Sequence, residues 1–156
     1  MNNRNLKFKI SNFGLSAFLL ILLLACSSNS GNSVDASSVK FKQYYVRGEE
    51  LYLNHCSNCH QATGTGLGLV YPPLNTSDYM EKNFESVLCL MKHGIKGEVI
   101  VNGKSFSQPM PGVSTLTKLD IAEIATYIYN TWDHQRGLVD VTEASRIIDS
   151  CGVTSN

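Results

Sequence analysis

The distribution of apolar residues along the chain predicts helices separated by loops. In four segments apolar side chains recur at helical spacing and leave a polar face opposite. The predicted helices are residues 44–56, 84–93, 117–132 and 141–148. A hairpin is predicted at residues 98–106, because Asn102-Gly103 is the strongest two-residue turn signal. No internal repeat is visible, so the pattern indicates one small, mainly helical domain.

Details of these helices can also be predicted. The first should bury the face that carries Tyr45, Gly48 and Leu51. The third should begin at a Thr117–Asp120 capping box and bury Leu119 among its apolar set. The fourth should be capped by Thr142.

A different apolar pattern stands at the N-terminus, where residues 13–25 are almost continuously apolar and follow three basic residues. A run of thirteen residues is too short to span a bilayer, which needs about 20, and it matches the apolar core of a signal peptide. Residues 1–25 are therefore predicted to be an export signal. Residues 26–41, many of them Ser, Asn or Gly, are predicted to be a flexible tether. The globular domain then covers residues 42–132, and residues 133–156 form a C-terminal extension packed on it.

The net charge of the chain limits which kinds of macromolecule it can bind. The 156 residues contain 13 basic and 13 acidic side chains, and without residues 1–25 a net charge of −3 remains. No basic surface is available to neutralise phosphates, so nucleic acid is excluded as a partner.

The candidate chemistry lies in Cys56-Ser57-Asn58-Cys59-His60, a C-x-x-C-H motif. This spacing places two sulfurs on one side of a single turn, where both can form thioethers to one haem, and the adjacent His60 can bind the iron. A redox dithiol would need a βαβ context, and a zinc site would need a second Cys/His pair at matching spacing. The sequence has neither feature, so it predicts one covalently bound haem c.

A second iron ligand is suggested by Met110, which lies between Pro109 and Pro111 outside any predicted helix or strand. Met91 is predicted to be core on a helix face, and Met80 has no rigid frame in the sequence. His93 and His134 remain rivals for a bis-histidine site, although each is more simply interpreted as a surface residue near a helix end.

The helix with Gly48 and Tyr52 that runs into the haem motif, Pro73-Leu74 after a glycine-rich loop, and Met110-Pro111 before a helix with Tyr127 together resemble the class I cytochrome c family over residues 42–132. The resemblance implies an all-α fold of three to five short helices around one haem. A short hairpin precedes residues 108–112, which carry Met110 and are called the methionine loop below. In the fold that the resemblance implies, the first and last helices of the domain cross at Gly48.

The resemblance also implies the composition of the haem site. His60 and Met110 would be the axial ligands, and a proline carbonyl near Pro73 would hold the His60 ring. Tyr52, Tyr71 and Trp132 would line or close the haem crevice.

The remaining cysteines suggest two modifications. Leu23-Leu24-Ala25-Cys26 resembles the lipobox of bacterial lipoproteins, which implies that Cys26 carries a lipid and that the domain faces the periplasm from a bacterial membrane. Ordinary secretory cleavage, with Cys26 as a free thiol, is the alternative. Cys89 and Cys151 are an even remainder in an exported protein and predict a disulfide, unless Cys89 is merely a small buried hydrophobe.

These features predict a membrane-anchored one-electron carrier rather than an enzyme. A soft methionine ligand favours Fe(II) and leaves the iron no vacant position. The expected partners are redox proteins, namely a terminal oxidase, a reductase or a dehydrogenase. The alternatives are a haem subunit of a larger oxidoreductase, and a small haem peroxidase or gas sensor with a displaceable methionine. Lys92, Lys96 and Lys104 could form a docking surface, but scattered lysines are usually only solvated.

Overall fold

The computed structural model describes residues 35–152. Its helices are α1 (Ala36–His55), α2 (Ser57–His60), α3 (Asp78–Lys82), α4 (Phe84–His93), α5 (Lys118–Ile128) and α6 (Val141–Ser150). Its strands are β1 (Gly94–Ile95), β2 (Val99–Val101), β3 (Lys104–Phe106) and β4 (Met110–Pro111). β1 pairs with β4 and β2 with β3, both antiparallel. The predicted helical class is confirmed, as is the hairpin around Asn102-Gly103. The predicted signal peptide and Cys26 lie outside the described residues.

Helix α1 starts earlier than the sequence pattern suggested. Asp35 caps it, since a side-chain oxygen accepts a hydrogen bond from the Ser37 N–H at 3.1 Å. Lys40 pairs with Asp140, and the Phe41 ring stacks on Tyr45. The prediction of a flexible tether over residues 26–41 is therefore wrong from Ala36 onward. The pattern of apolar residues gave no sign of a helix here, because this stretch has few of them. The start of the helix depends instead on its cap and on contacts with residues that are distant in sequence.

Helices α1 and α5 cross at Gly48. A Cβ at this position would lie 2.0 Å from the Glu123 carbonyl oxygen, so only glycine permits the contact. Tyr44, Leu51 and Tyr52 are buried on the same face of α1, whereas Tyr45 is only half-buried. This crossing fixes the direction in which α1 delivers the haem motif at its C-terminal end.

Helix α5 has the predicted cap but ends early. The Thr117 side chain accepts from the Asp120 N–H, and the Asp120 carboxylate accepts from the Thr117 N–H. The helix ends at Ile128 rather than near Trp132, because the chain turns after Tyr129, whose carbonyl accepts from the Arg136 N–H at 2.9 Å. Leu119 was expected in the core, but it is exposed.

The C-terminal extension packs on the domain through α6. Asp140, not Thr142 as predicted, caps this helix, with its carboxylate accepting from the Thr142 N–H at 2.8 Å. Cys151, which follows α6, forms a disulfide with Cys89 on α4, and their Cα atoms are 5.7 Å apart. Ala144, Ile147 and Ile148 of α6 join the same core cluster as α1, α4 and α5. Within residues 35–152 no helix has the length and apolar character needed to cross a membrane.

Candidate haem-binding site

A deep cleft lies between the end of α1, the loop at residues 61–77, α4 and the two strand pairs. It encloses about 960 Å³ of empty space, counted with the open solvent at its mouth. Seven residues predicted for a haem site line this cleft together: Tyr52, Cys56, Cys59, His60, Tyr71, Pro73 and Met110.

His60 is the last residue of α2 and is buried. Its Nδ1 lies 3.0 Å from the Pro72 carbonyl oxygen, which fixes the ring and makes Nδ1 the protonated nitrogen. Burial lowers the pKa of His60, and the Pro72 hydrogen bond opposes that shift only in part. The neutral ring therefore keeps a lone pair on Nε2, as an iron ligand requires.

The carbonyl that holds His60 was predicted only as one near Pro73, and in the structure it belongs to Pro72. Pro72 supplies the carbonyl, and Pro73 contributes its ring to the cleft wall. The sequence offers no signal that separates these two adjacent prolines, since only the direction of the backbone decides between their carbonyls.

Cys56 and Cys59 are free thiols in the structure, and both border the cleft. Burial raises the pKa of the Cys56 thiol to about 12. Interaction with the Cys59 side chain raises the pKa of Tyr71. Both cysteines therefore line the same cleft as His60, and the three residues lie within five consecutive positions at the start and end of α2.

The loop at residues 61–77 is closely fitted to this side of the cleft. The Gly66 N–H donates to the His60 carbonyl at 3.0 Å, and the Leu74 N–H donates to the Gly64 carbonyl at 2.7 Å. A Cβ on Gly64 would lie 2.6 Å from the Trp132 ring, so the indole packs against the loop from behind. Trp132 was expected to line or close the crevice, but it is not among the lining residues and instead supports the loop.

Met110 approaches the cleft from a separate segment of the chain. It is half-buried on β4, where it pairs with Ile95, and Pro109 and Pro111 flank it. A Cβ on Gly94 would lie 2.4 Å from the Met110 carbonyl oxygen and 2.4 Å from the Gly112 nitrogen. The methionine loop therefore rests directly on the backbone at the end of α4.

Two further methionines line the cleft. Met91 on α4 is buried, as predicted, and Met80 on α3 is also buried. The expectation that Met80 lacks a rigid frame is wrong, because the Ser77 side chain caps α3 and the Tyr129 hydroxyl donates to the Met80 carbonyl at 2.9 Å. Both residues belong to packed helices of the core, which distinguishes them from Met110.

The rival histidines lie outside the cleft lining. His93 is exposed. His134 is half-buried, and its Nε2 lies 2.8 Å from the Leu74 carbonyl oxygen, so this side chain holds the loop rather than standing free on the surface. A bis-histidine site therefore has no support in the geometry.

Lys92 has a structural role that the sequence did not reveal. Its Nζ donates to the carbonyl oxygens of Ser114 and Leu116, each at 2.7 Å. These residues follow the methionine loop, so Lys92 ties that loop to α4. It was considered as a docking lysine, and its position in the sequence gives no sign of this internal use.

Comparison with known proteins agrees with this arrangement. The sequence model of the family described as Cytochrome c matches residues 45–132, more than half of the chain and the whole of the cleft described above. The chain belongs to the cytochrome c family. Membership implies a covalently bound haem c, supports an electron-carrier role and agrees with the helical fold. It is typical of exported proteins whose partners are redox proteins.

Two curated relatives are each similar over 89 residues with 26% identity. Both are named cytochrome c-552 and come from Thermus thermophilus. The match covers 54% of this chain, 67% of the first relative and 60% of the second. The chain thus spans about two thirds of these relatives or less.

The residues of the cleft fit the haem that membership implies. Thiols such as those of Cys56 and Cys59 add to haem vinyl groups to form thioethers. A neutral imidazole and a methionine thioether are ligands of haem iron in proteins. The surrounding surface is formed mainly by apolar side chains such as Val87, Leu90 and Ile124. A large planar apolar group with one metal at its centre matches both the donors and the lining.

Proposed function

We propose that this protein is a one-electron carrier whose haem c is attached through Cys56 and Cys59 and ligated by His60 and Met110. The observation that carries the proposal is the convergence on one cleft of a fixed neutral imidazole, two free thiols and a proline-flanked methionine. When bound, the haem iron gains and loses one electron.

The protein's own residues have distinct tasks in this proposal. The Pro72 carbonyl orients His60 and increases its basicity as a ligand. Met110 would supply its thioether sulfur to the iron, which would leave no open position for dioxygen or peroxide, and this soft ligand would favour the reduced state. The apolar lining excludes water and lowers the local dielectric, which favours the less charged Fe(II) form.

Membrane anchoring belongs to the same proposal and is supported by sequence alone. Cys26 follows an apolar export signal in a lipobox-like context. A lipid on Cys26 would hold the domain at a bacterial membrane and facing the periplasm, where a terminal oxidase, a reductase or a dehydrogenase would be its redox partner. Metabolic labelling with a radioactive fatty acid tests this. Cys26→Ala should abolish the label and release the protein from the membrane fraction, and a labelled variant would contradict the proposal.

The ligand assignment is tested by the near-infrared absorption band that methionine sulfur gives on ferric haem. Met110→Leu should abolish this band in the purified oxidised holoprotein and open the iron to carbon monoxide after reduction. Met80→Leu and Met91→Leu are matched controls, since they remove the other two methionine sulfurs of the cleft with little change in volume. Both should keep the band.

The same experiment also tests the alternative functions, a haem peroxidase or a gas sensor. If the wild-type protein lacks the band and binds carbon monoxide readily, the sixth position is open. A haem peroxidase or gas sensor would then replace the electron carrier as the interpretation. If the band disappears in Met80→Leu or Met91→Leu and persists in Met110→Leu, the ligand has been assigned to the wrong methionine.

A further inference from the structure

One long face of α1 is exposed and carries an apolar stripe. Of the eight large hydrophobic side chains that are exposed among residues 35–152, three lie on this helix: Val39 at 40%, Val46 at 57% and Leu53 at 45% exposure. Each is seven positions from the next, and side chains at that spacing drift by only about 20° around a helix at each step. The stripe is therefore nearly straight and about 21 Å long.

We call this surface the outer face of α1, and it consists of Val39, Lys42, Val46, Glu49, Glu50 and Leu53. It lies opposite the side of α1 that is buried against α5, where Gly48 makes the crossing. None of its residues lines the haem cleft. A protein bound to the outer face would therefore contact neither the helix crossing nor the lining of the cleft.

Charged side chains accompany the apolar stripe in an ordered way. Lys42 lies about one turn after the start of the stripe, and Glu49 and Glu50 lie about one turn before its end. Lys42 and Glu49 are exposed, and neither forms a hydrogen bond or an ion pair within residues 35–152. Glu50 has one partner on the same helix, Arg47, at 2.7 Å. The first half of the outer face thus offers a free positive charge, and the second half offers a free negative charge.

The apolar stripe is complementary to itself under a two-fold rotation. When two copies of α1 lie antiparallel across a two-fold axis at Val46, that side chain meets the partner's Val46. The same rotation sets Val39 against the partner's Leu53, and Leu53 against the partner's Val39. Each apolar side chain of the stripe is thereby covered by another apolar side chain, which removes both from water.

The charges obey the same rotation. It sets Lys42 opposite the partner's Glu50 and beside the partner's Glu49, and this contact occurs twice, once on each side of the axis. A parallel pair of helices would instead bring Lys42 next to the partner's Lys42, and each glutamate next to its own copy. Opposite charges therefore favour the antiparallel pair, and like charges oppose the parallel one.

We propose that the outer face of α1 is a homodimer interface, in which α1 pairs antiparallel with α1 of a second copy of this chain. Contact along the apolar stripe stabilises the pair. The lysine–glutamate contacts mainly set its direction, because exposed ion pairs contribute little to affinity but discriminate between orientations. An interface formed by one helix face belongs to the small and transient class below about 1,200 Å². Pairing of this kind holds whether or not the haem carries electrons.

Sedimentation velocity of the full-length, haem-loaded protein tests the pairing, with haem absorbance as the signal and a non-ionic detergent in excess. The wild-type protein should show a concentration-dependent equilibrium between monomer and dimer. Val46→Glu brings two carboxylates together at the axis and should raise the dissociation constant by about tenfold or more. Ile100→Glu is the matched control, because Ile100 is 53% exposed on β2 and does not line the cleft. It should associate as the wild-type protein does.

Charge reversal tests the antiparallel direction. At low salt Lys42→Glu should raise the dissociation constant by about tenfold, since it sets like charges together on both sides of the axis. In a parallel pair the same variant would only replace one contact between like charges by another. Glu49→Lys/Glu50→Lys should weaken pairing to a similar extent. An equimolar mixture of the two variants should recover the wild-type affinity, because both contacts of the mixed pair again join opposite charges.

All variants should keep the wild-type haem spectrum and unfolding temperature, since every substituted side chain is exposed. Salt at about 1 M, where the Debye length is only about 3 Å, should reduce the effects of charge reversal.

Four outcomes would overturn the proposal. In the first, the wild-type protein stays monomeric up to about 1 mM. In the second, Val46→Glu associates no differently from Ile100→Glu. In the third, Lys42→Glu associates as the wild-type protein does, or the mixture fails to recover affinity. In the fourth, the Cys26→Ala protein binds phosphatidylcholine vesicles and Val46→Glu abolishes that binding without changing association, so that lipid covers the outer face.

Discussion

The two sides of the haem cleft are built in different ways. On the His60 side, the proposed ligand is the buried end of a helix, and the loop that follows it is hydrogen-bonded back to the same helix and supported by Trp132. On the Met110 side, the proposed ligand is half-buried on a two-residue strand, and its loop is held by β1, by contact with Gly94 and by Lys92. The His60 side is part of the core, whereas the Met110 side is attached to the core only by strand pairing, by one close backbone contact and by hydrogen bonds from Lys92.

This difference indicates which of the two proposed ligands is held more firmly by the protein. Displacing His60 would break the packing of α2 and of the loop at residues 61–77, while displacing Met110 would disturb only β1, β4 and their attachment to α4. Local opening with low free energy occurs where few buried contacts hold a segment. The Met110 side should therefore open first under stress, with the His60 side still intact.

The largest contrast comes from removing each ligand. His60→Ala should lower the yield of haem-loaded protein by about tenfold or more, since loss of an outer partner of a ligand alone already costs about 10–100-fold in metal affinity. Met110→Leu should load haem normally. The measurement is the haem content per polypeptide after purification. Equal loading of the two variants would remove the distinction between the two sides.

The disulfide should have the next largest effect. It joins α4, which leads directly into β1 on the Met110 side, to the end of α6, at a sequence separation of 62. In the chain-entropy description, closing a loop of this length contributes about 4 kcal/mol to the free energy of unfolding. The double variant Cys89→Ala/Cys151→Ala should lose about that amount in denaturant titrations.

Wild-type protein treated with a thiol reductant is the control for the disulfide, because thioether bonds to haem survive the reductant. It should lose a similar free energy of unfolding. The methionine band should also disappear at a lower denaturant concentration than haem–His60 ligation does. Simultaneous loss of both ligands would contradict the proposed order.

Gly94→Ala tests the close contact between the backbone at Gly94 and the methionine loop. Gly94 has φ of 74°, and an added Cβ would meet backbone atoms of Met110 and Gly112. Strain and overlap together should cost about 3 kcal/mol. Gly97→Ala is the matched control, since Gly97 also has positive φ but its Cβ would meet nothing within 4 Å, so it should cost about 1 kcal/mol. Equal losses in thermal unfolding would show that contact with the loop does not matter.

Lys92→Met should have a smaller effect on the same side. It leaves the carbonyls of Ser114 and Leu116 without their donor, at a cost of about 1 kcal/mol because the site is partly solvated. Lys96→Met is the control, since Lys96 is exposed and makes no hydrogen bond or ion pair within residues 35–152. Only Lys92→Met should lower the temperature at which the methionine band disappears. The same shift in both variants would point to charge rather than position.

The smallest effect is expected away from both sides of the cleft, at Asp140. Its hydrogen bond to Lys40, followed by hydrogen bonds from Thr142, lowers its pKa from 3.8 to about 2. Because the folded-state pKa is depressed, the stabilisation is present above about pH 4 and is lost as the pH falls toward 2.

Asp140→Asn keeps a side chain that can cap α6 and removes the charge, so the stability difference from wild type should be less than about 0.5 kcal/mol at pH 7 and should vanish near pH 2. The methionine band should be unchanged. A difference that grows as the pH falls would contradict the sign of the pKa shift.

The sequence predicted best where the signal is local. The C-x-x-C-H motif, the Asn102-Gly103 turn and the Thr117–Asp120 cap all lie within a few consecutive residues, and the structure shows each motif as a turn or helix end. The crossing at Gly48 could also be predicted, but only through the family resemblance, since a glycine within a helix does not by itself identify its neighbour.

The errors and omissions share a different cause. Choosing Pro72 over Pro73, recognising that Met80 faces the cleft and finding the acceptors of Lys92 all depend on how distant segments are oriented. The early start of α1 lies between these two cases. Asp35 can be recognised as a cap from the sequence, but the partner of Lys40 lies 100 residues away and cannot. Residue type and spacing alone do not contain that information.

The four cysteines within residues 35–152 place conflicting chemical demands on the maturation of this protein. Under the proposed attachment, Cys56 and Cys59 must remain thiols until both have reacted with haem, whereas Cys89 and Cys151 must be oxidised to each other. Both requirements apply to one chain, and the pair that must stay reduced is much closer in sequence. A cell that makes this protein therefore needs to keep a nearby thiol pair from closing while a distant pair closes, which places haem attachment and oxidative folding in competition.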